Sequence, residues 1–207
     1  MIFTLTTVPP PSKDIPTRLK RAAGELFAAH GPDGTTVDEI ARAAGVNRER
    51  VYAYFGGKDG LFDSVLGDEL LAIAEAVPLD MEAVKDIGAF AGQLFDYHTA
   101  NRQMARLLQW EALRYELRPV PDEAARRGHY QHKVDVIAQG QRDGVLTDDI
   151  PPSDLLFLLV AIAAWWSAVP QMTRMMDRDS RTPAAAARRR RASTVRAAEL
   201  IAYKHST

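Results

Sequence analysis

Asn47, Arg48, Arg50, Tyr52, Tyr54 and Lys58 lie in one short stretch, and all are donors of the kinds that meet nucleic acid. An arginine can fork onto two guanine acceptors, a contact good for about 1–3 kcal/mol of discrimination between bases. A lysine ammonium sits on phosphate, and a tyrosine can pack its ring while its hydroxyl reaches a phosphate oxygen. Glu49, in their midst, would repel phosphate; it reads as accepting from a cytosine N4 donor, pairing with a neighbouring arginine or facing water. The plainer alternatives are solvated charges for Arg48 and Arg50 and a half-buried core residue for Tyr52. Elsewhere the sequence offers no Gly-rich phosphate loop, nucleophile motif or metal-spaced cluster. The expectation is therefore a protein that is not an enzyme, with no cofactor and no metal site. His129 and His132 share a helix face at i, i+3 but lack a third ligand nearby, which favours surface histidines.

The elements that must position these donors are helices. Apolar residues recur at helical spacing, without the alternation or Asn-Gly turns of a sheet, so the fold class expected is all-α. A first helix over about 16–30 puts Leu19, Ala22, Ala23, Leu26 and Phe27 on one stripe, with Arg18, Arg21 and Glu25 facing away. Thr36-Val37-Asp38-Glu39 fits a capping box at the start of a second helix, with Val37, Ile40, Ala41 and Ala44 inward. Gly45 supplies a positive φ, and Asn47 can cap a third short helix that ends at Gly56-Gly57. Two short helices joined through Ala44-Gly45-Val46 are what a helix-turn-helix requires, and Asn47, Arg48 and Arg50 then stand at the leading end of the recognition helix. A fourth helix from Lys58 or Asp59 keeps Leu61, Phe62, Val65, Leu66 and Ile73 inward until Pro78. Longer helices are expected at about 80–100, 101–117, 122–143, 153–176 and 183–205, separated by Pro119 and Pro121, by Gly144 with Pro151-Pro152, and by a polar stretch.

Composition narrows the partners. The 207 residues, 46% hydrophobic and 26% charged, suit an ordinary globular chain rather than a disordered one. A formal charge of -1 means that nucleic-acid contact must come from a local basic cluster. The absence of cysteine suits a reducing cytoplasm. The start of the chain, with Pro9-Pro10-Pro11, lacks the apolar run of a signal peptide, and residues 155–169 fall short of the roughly 18 that a membrane span needs. The expected organisation is a flexible arm at 1–13, a helix-turn-helix DNA-binding domain at 14–60, and a larger helical domain at 61–207 with a linking helix at 61–77.

The pattern extends beyond a generic helix-turn-helix. Ala22-Ala23, Leu26-Phe27, His30-Gly31, Thr36-Val37, Ile40-Ala41, Ala44-Gly45-Val46, Tyr52, Phe55, Lys58 and Leu61-Phe62 together resemble the tetracycline-repressor (TetR) family of bacterial regulators, over about residues 16–66. The resemblance implies that Thr36, Tyr52 and Lys58 touch phosphate, and that Asn47, Arg48, Glu49, Arg50 and Tyr54 meet bases or the nearby backbone. Members often carry a small polar residue, then Lys and Gly, where this chain has Asn47-Arg48-Glu49, so no operator sequence carries over. They often have a Pro-Ser pair where Gly56-Gly57 stands, which implies a looser joint here.

For the remainder, the resemblance implies a variable helical domain that dimerises and binds a small effector of unknown identity. The helix at 153–176 is apolar on nearly all sides and must be covered all round. By resemblance the last two helices pair with their mates in a two-fold homodimer, whose recognition helices would enter successive major grooves about 34 Å apart on a near-palindromic duplex operator. The same resemblance places the run Arg188 to Arg191 far from DNA. Candidate effector contacts, each with an apolar body and a polar handle, are Tyr97, His98, Trp110, Tyr115 and Trp165; each alone also fits an ordinary core residue. The function expected is a repressor released from its operator by the effector. The alternatives are an activator or ligand-independent regulator, or a soluble binding protein or enzyme with a non-functional helix-turn-helix.

Overall fold

The computed structural model describes residues 14–176 and 182–204. The expected arm at 1–13 lies outside them. All regular structure among the described residues is helical, and the chain divides into two compact units after Leu66.

The first unit holds α1 (Ile15–His30), α2 (Val37–Ala44), α3 (Glu49–Phe55) and the start of α4 (Lys58–Ala76). The stripe of α1 is buried through Leu19, Ala22, Ala23 and Phe27, against Ile40, Ala41 and Ala44 of α2 and Val51 of α3. Leu61, Phe62, Val65 and Leu66 close this core, and the Phe27 and Phe62 rings meet edge to face with centroids 5.4 Å apart. Burying these side chains offsets the poor intrinsic stability of helices as short as α2 and α3.

The second unit contains α5 (Met81–Lys85), α6 (Ile87–Ala100), α7 (Arg102–Tyr115), α8 (Glu123–Arg142), α9 (Pro152–Ala168), α10 (Pro170–Met176) and α11 (Pro183–Ala202). At its centre α6 packs against both α9 and α11. Ile87, Phe90, Ala91 and Leu94 of α6 meet Leu155, Leu159 and Ala163 of α9 and Ala198 and Ala202 of α11 in one core. Gly88 and Gly92 let α11 approach, since a Cβ on either would stand 3.1 Å from Val195. Glu111 and Arg126 tie α7 to α8 through a 2.6 Å ion pair that is mostly buried.

Three helices differ from the sequence reading. The helix expected over 80–100 is broken at Asp86, whose carboxylate caps α6 by accepting from Ala89 N at 2.8 Å. Tyr203 seals the break: its hydroxyl donates to Lys85 O and accepts from Ile87 N, each at 3.0 Å. The helix expected over 153–176 stops at Ala168 and restarts at Pro170 with a bend of 83°. Proline has no N–H to continue the ladder, and its ring clashes with the preceding turn. The last helix ends at Ala202, not near 205. No single helix among the described residues is long and apolar enough to cross a membrane.

Candidate nucleic-acid interface

Thr36 sits at the N-cap of α2 and forms the expected capping box. Its Oγ1 accepts from Glu39 N at 3.2 Å, its own N donates to Glu39 Oε2 at 2.8 Å, and its hydroxyl donates to the same oxygen at 2.8 Å. The backbone and hydroxyl bonds from Thr36 hold the Glu39 carboxyl below the usual carboxylate range. With the Thr36 hydroxyl and N–H and the Glu39 N–H occupied, the N–H groups of Val37 and Asp38, which have no intrahelical acceptor, are the donors left to meet a phosphate.

Between α2 and α3, Gly45 takes φ 64, the left-handed conformation expected of it. Arg18 corrects the sequence reading: placed on the outward face of α1, it is half-buried and donates through Nη2 to Ala44 O and, at 2.9 Å, to Gly45 O. A cation thus satisfies the carbonyls at the C-terminal end of α2 and fixes the turn. Position relative to the apolar stripe gave no hint of it, because a long side chain at the stripe's edge can swing either way.

The cap expected from Asn47 also differs. Helix α3 starts at Glu49, its N-cap is Arg48, and no side chain caps it; Asn47 instead accepts from Arg50 N through its backbone oxygen at 3.0 Å. Asn47, Arg48, Glu49 and Arg50 are all exposed. Arg48 lies 3.6 Å from Asp38 and 6.0 Å from the centre of the Tyr52 ring. Arg50 carries no ion pair among the described residues and is free to reach a base edge. Tyr52 is 49% and Tyr54 47% exposed, which leaves both hydroxyls available.

Thr36, Tyr52 and Lys58 come together around one cavity of about 460 Å³, whose wall also includes Phe55 and Gly57. The turn that brings Lys58 round uses Gly56 at φ 71 and Gly57 at φ 139, conformations that side-chain-bearing residues rarely adopt. Lys58 has no ion-pair partner among the described residues. The result is one concave surface with an ammonium, a phenol and a helix N-terminus, and with Asp33 and Asp59 also in its wall.

The second-unit candidates are more scattered. Tyr97 is half-buried on α6; burial, with help from the charge on Glu69, raises its pKa. His98 is 3% exposed, its Nδ1 is buried without a partner among the described residues, and burial holds its pKa below the ordinary value. Trp110 and Tyr115 are half-buried on α7, while Trp165 is 58% exposed on α9. A cavity of about 520 Å³ in this unit is lined by none of these five. It is lined by Trp166, whose indole donates to Thr194 Oγ1 at 3.0 Å. His129 and His132 are exposed.

Residues 19–65 match the domain described as bacterial regulatory proteins, tetR family, and residues 86–199 the tetracyclin repressor-like C-terminal domain. The chain is 45% identical over 159 residues to the HTH-type transcriptional repressor SCO4008 of Streptomyces coelicolor, across 77% of this chain and 81% of that one. Its fold is similar to the solved structure of SCO4942, a candidate transcriptional regulator of the same organism, with TM-score 0.78, 33% identity, and coverage of 91% and 98% of the two chains. The ketosteroid transcriptional regulator KstR2 of Mycobacterium tuberculosis shares the fold at TM-score 0.60 and 18% identity, over 93% of this chain and 97% of its own. Two matched domains and a relative alike over most of both lengths carry one conclusion: the chain belongs to the TetR family and is a DNA-binding transcriptional regulator.

Proposed function

We propose that this regulator is a homodimeric repressor that holds a near-palindromic operator and lets it go when a small molecule occupies the second unit. The observation that supports it best is the gathering of Thr36, Tyr52 and Lys58 on one concave surface, with Arg48 against Tyr52 and Arg50 exposed on the same short helix. Phosphate contacts of Tyr52, of Lys58 and of the free N–H groups at the start of α2, which Thr36 caps, fix the register, and the arginines, with Asn47 and Tyr54, read or flank the bases. Phe157, Leu158 and Trp165 of α9 and Leu200 of α11 are large apolar side chains left exposed, as a two-fold contact through these helices requires. Release needs a ligand that prefers the conformation in which the paired recognition helices no longer match successive grooves. Tyr97, His98, Trp110 and Tyr115 are the groups on α6 and α7 suited to hold such a ligand, whereas the exposure of Trp165 suits the subunit contact.

Selection of bound sequences from a random duplex pool tests the operator. An inverted repeat with half-sites about one helical turn apart is expected; a pool without enrichment at moderate salt would sink the proposal. Arg50→Ala should relax base preference at one position per half-site, a loss of about 1–3 kcal/mol in discrimination. Lys58→Ala should weaken all sequences alike and lower the salt slope by about one. An unchanged selected motif for Arg50→Ala would remove that side chain from base reading.

A further inference from the structure

We infer that the cavity bounded by α6, α9, α10, α11 and the start of α7 is a binding site for an organic anion with a flat apolar body. Its volume of about 520 Å³ lies in the range that holds small ligands. Phe95 and Trp166 supply aromatic walls, and Arg102, Arg174 and Arg190 bring three guanidinium groups to the same space. No aspartate or glutamate is among the described residues that line it.

Among the described lining residues three cations gather with no acid, and guanidinium groups brought together this way suit a carboxylate or sulfonate. Arg102 and Arg174 carry no ion pair among the described residues. Arg190 has a structural post: its guanidinium lies 5.8 Å from the centre of the Trp166 ring and reaches Thr173 O at 3.5 Å. The nearest carboxylate on α6, Asp96, is taken by Arg191 at 2.8 Å. The run of four arginines on α11 is therefore not one uniform charged face, since Arg191 pairs outside the cavity while Arg190 lines it. Thr182 and Pro183, at the N-terminus of the 20-residue α11, also line the cavity, so the helix dipole adds to its positive field. A planar carboxylate or sulfonate fits these features: its ring lies along Trp166 and Phe95, and its charged end forks onto Arg102 and Arg174.

Binding at this site stands on the cavity itself; only its consequence for DNA rests on the proposed release. Calorimetric titration of the full chain with 2-naphthoate, indole-3-acetate and decanoate, each against its neutral alcohol, tests it. At least one of the two aromatic carboxylates should bind ten times or more tighter than its alcohol and tighter than decanoate, and Arg102→Gln with Arg174→Gln should abolish that preference while the melting temperature holds. Equal binding of acid and alcohol, a preference that survives the double substitution, or no binding of any carboxylate at millimolar concentration would overturn the inference. Carboxylate binding that leaves operator affinity unchanged supports the anion site and counts instead against release. Release by other compounds with no carboxylate binding does the reverse.

Discussion

Arg18 and His98 show what single side chains contribute beyond the apolar pattern. Arg18 joins α1 to the turn between α2 and α3, so Arg18→Ala should cost about 1–2 kcal/mol. It should also weaken DNA binding with little change in salt slope, because it positions the recognition helix without touching phosphate. Chemical denaturation together with a salt series checks this, and a slope reduced as far as that of Lys58→Ala would place Arg18 on DNA instead. His98 sets a pH dependence. Burial holds its imidazole below the ordinary 6.5, so the unfolded chain takes up a proton at higher pH than the folded one. Stability from this group is complete above about pH 6.5 and is lost as pH falls from there toward the lowered folded value. His98→Leu should flatten the decline in urea midpoint between about pH 7.5 and about pH 5.5; parallel declines would show that other groups carry it. The sequence pointed to His98 as a polar handle, but only packing reveals that its Nδ1 has no partner among the described residues.

Among the elements, those with strong local signals formed where expected. The Thr36 capping box and the left-handed Gly45 are local chemistry, so α2 and its turn were legible residue by residue. The breaks at Asp86 and Pro170 were not. Asp86 fits an exposed helical position, and what makes it a cap is Tyr203, far along the chain, bonding across the gap. Pro170 sits after a long apolar run whose helical period masked its missing N–H. Helix α8 depends on a similar long-range fit: a Cβ on Gly140 would stand 2.6 Å from Val84 and 3.1 Å from Leu146, both 0% exposed. Gly140→Ala should therefore destabilise by about 1–3 kcal/mol despite alanine's better helix propensity. A thermal melt at or above that of the parent would show that the α5–α8 contact yields easily.

At the scale of the whole molecule, the proposed dimer makes the exposed face of α9 decisive. Phe157 is 73% and Trp165 58% exposed, and eight residues apart they share one side of the helix. Phe157→Asp with Trp165→Asp should shift the protein to monomers in sedimentation velocity and lower operator affinity by roughly 100-fold, since two half-sites would then be engaged independently. A dimer that persists would move the interface elsewhere. The helix-turn-helix was determined by the sequence itself, because caps, turn glycines and a short apolar period act over a few residues. Tertiary structure decided the rest: that Arg18 holds the turn, that Thr36, Tyr52 and Lys58 share one surface, and that Trp166, not Trp165, lines the second-unit cavity. Two adjacent tryptophans have the same composition and nearly the same pattern. Only the packing of α9 against its neighbours sends one inward and leaves the other in water.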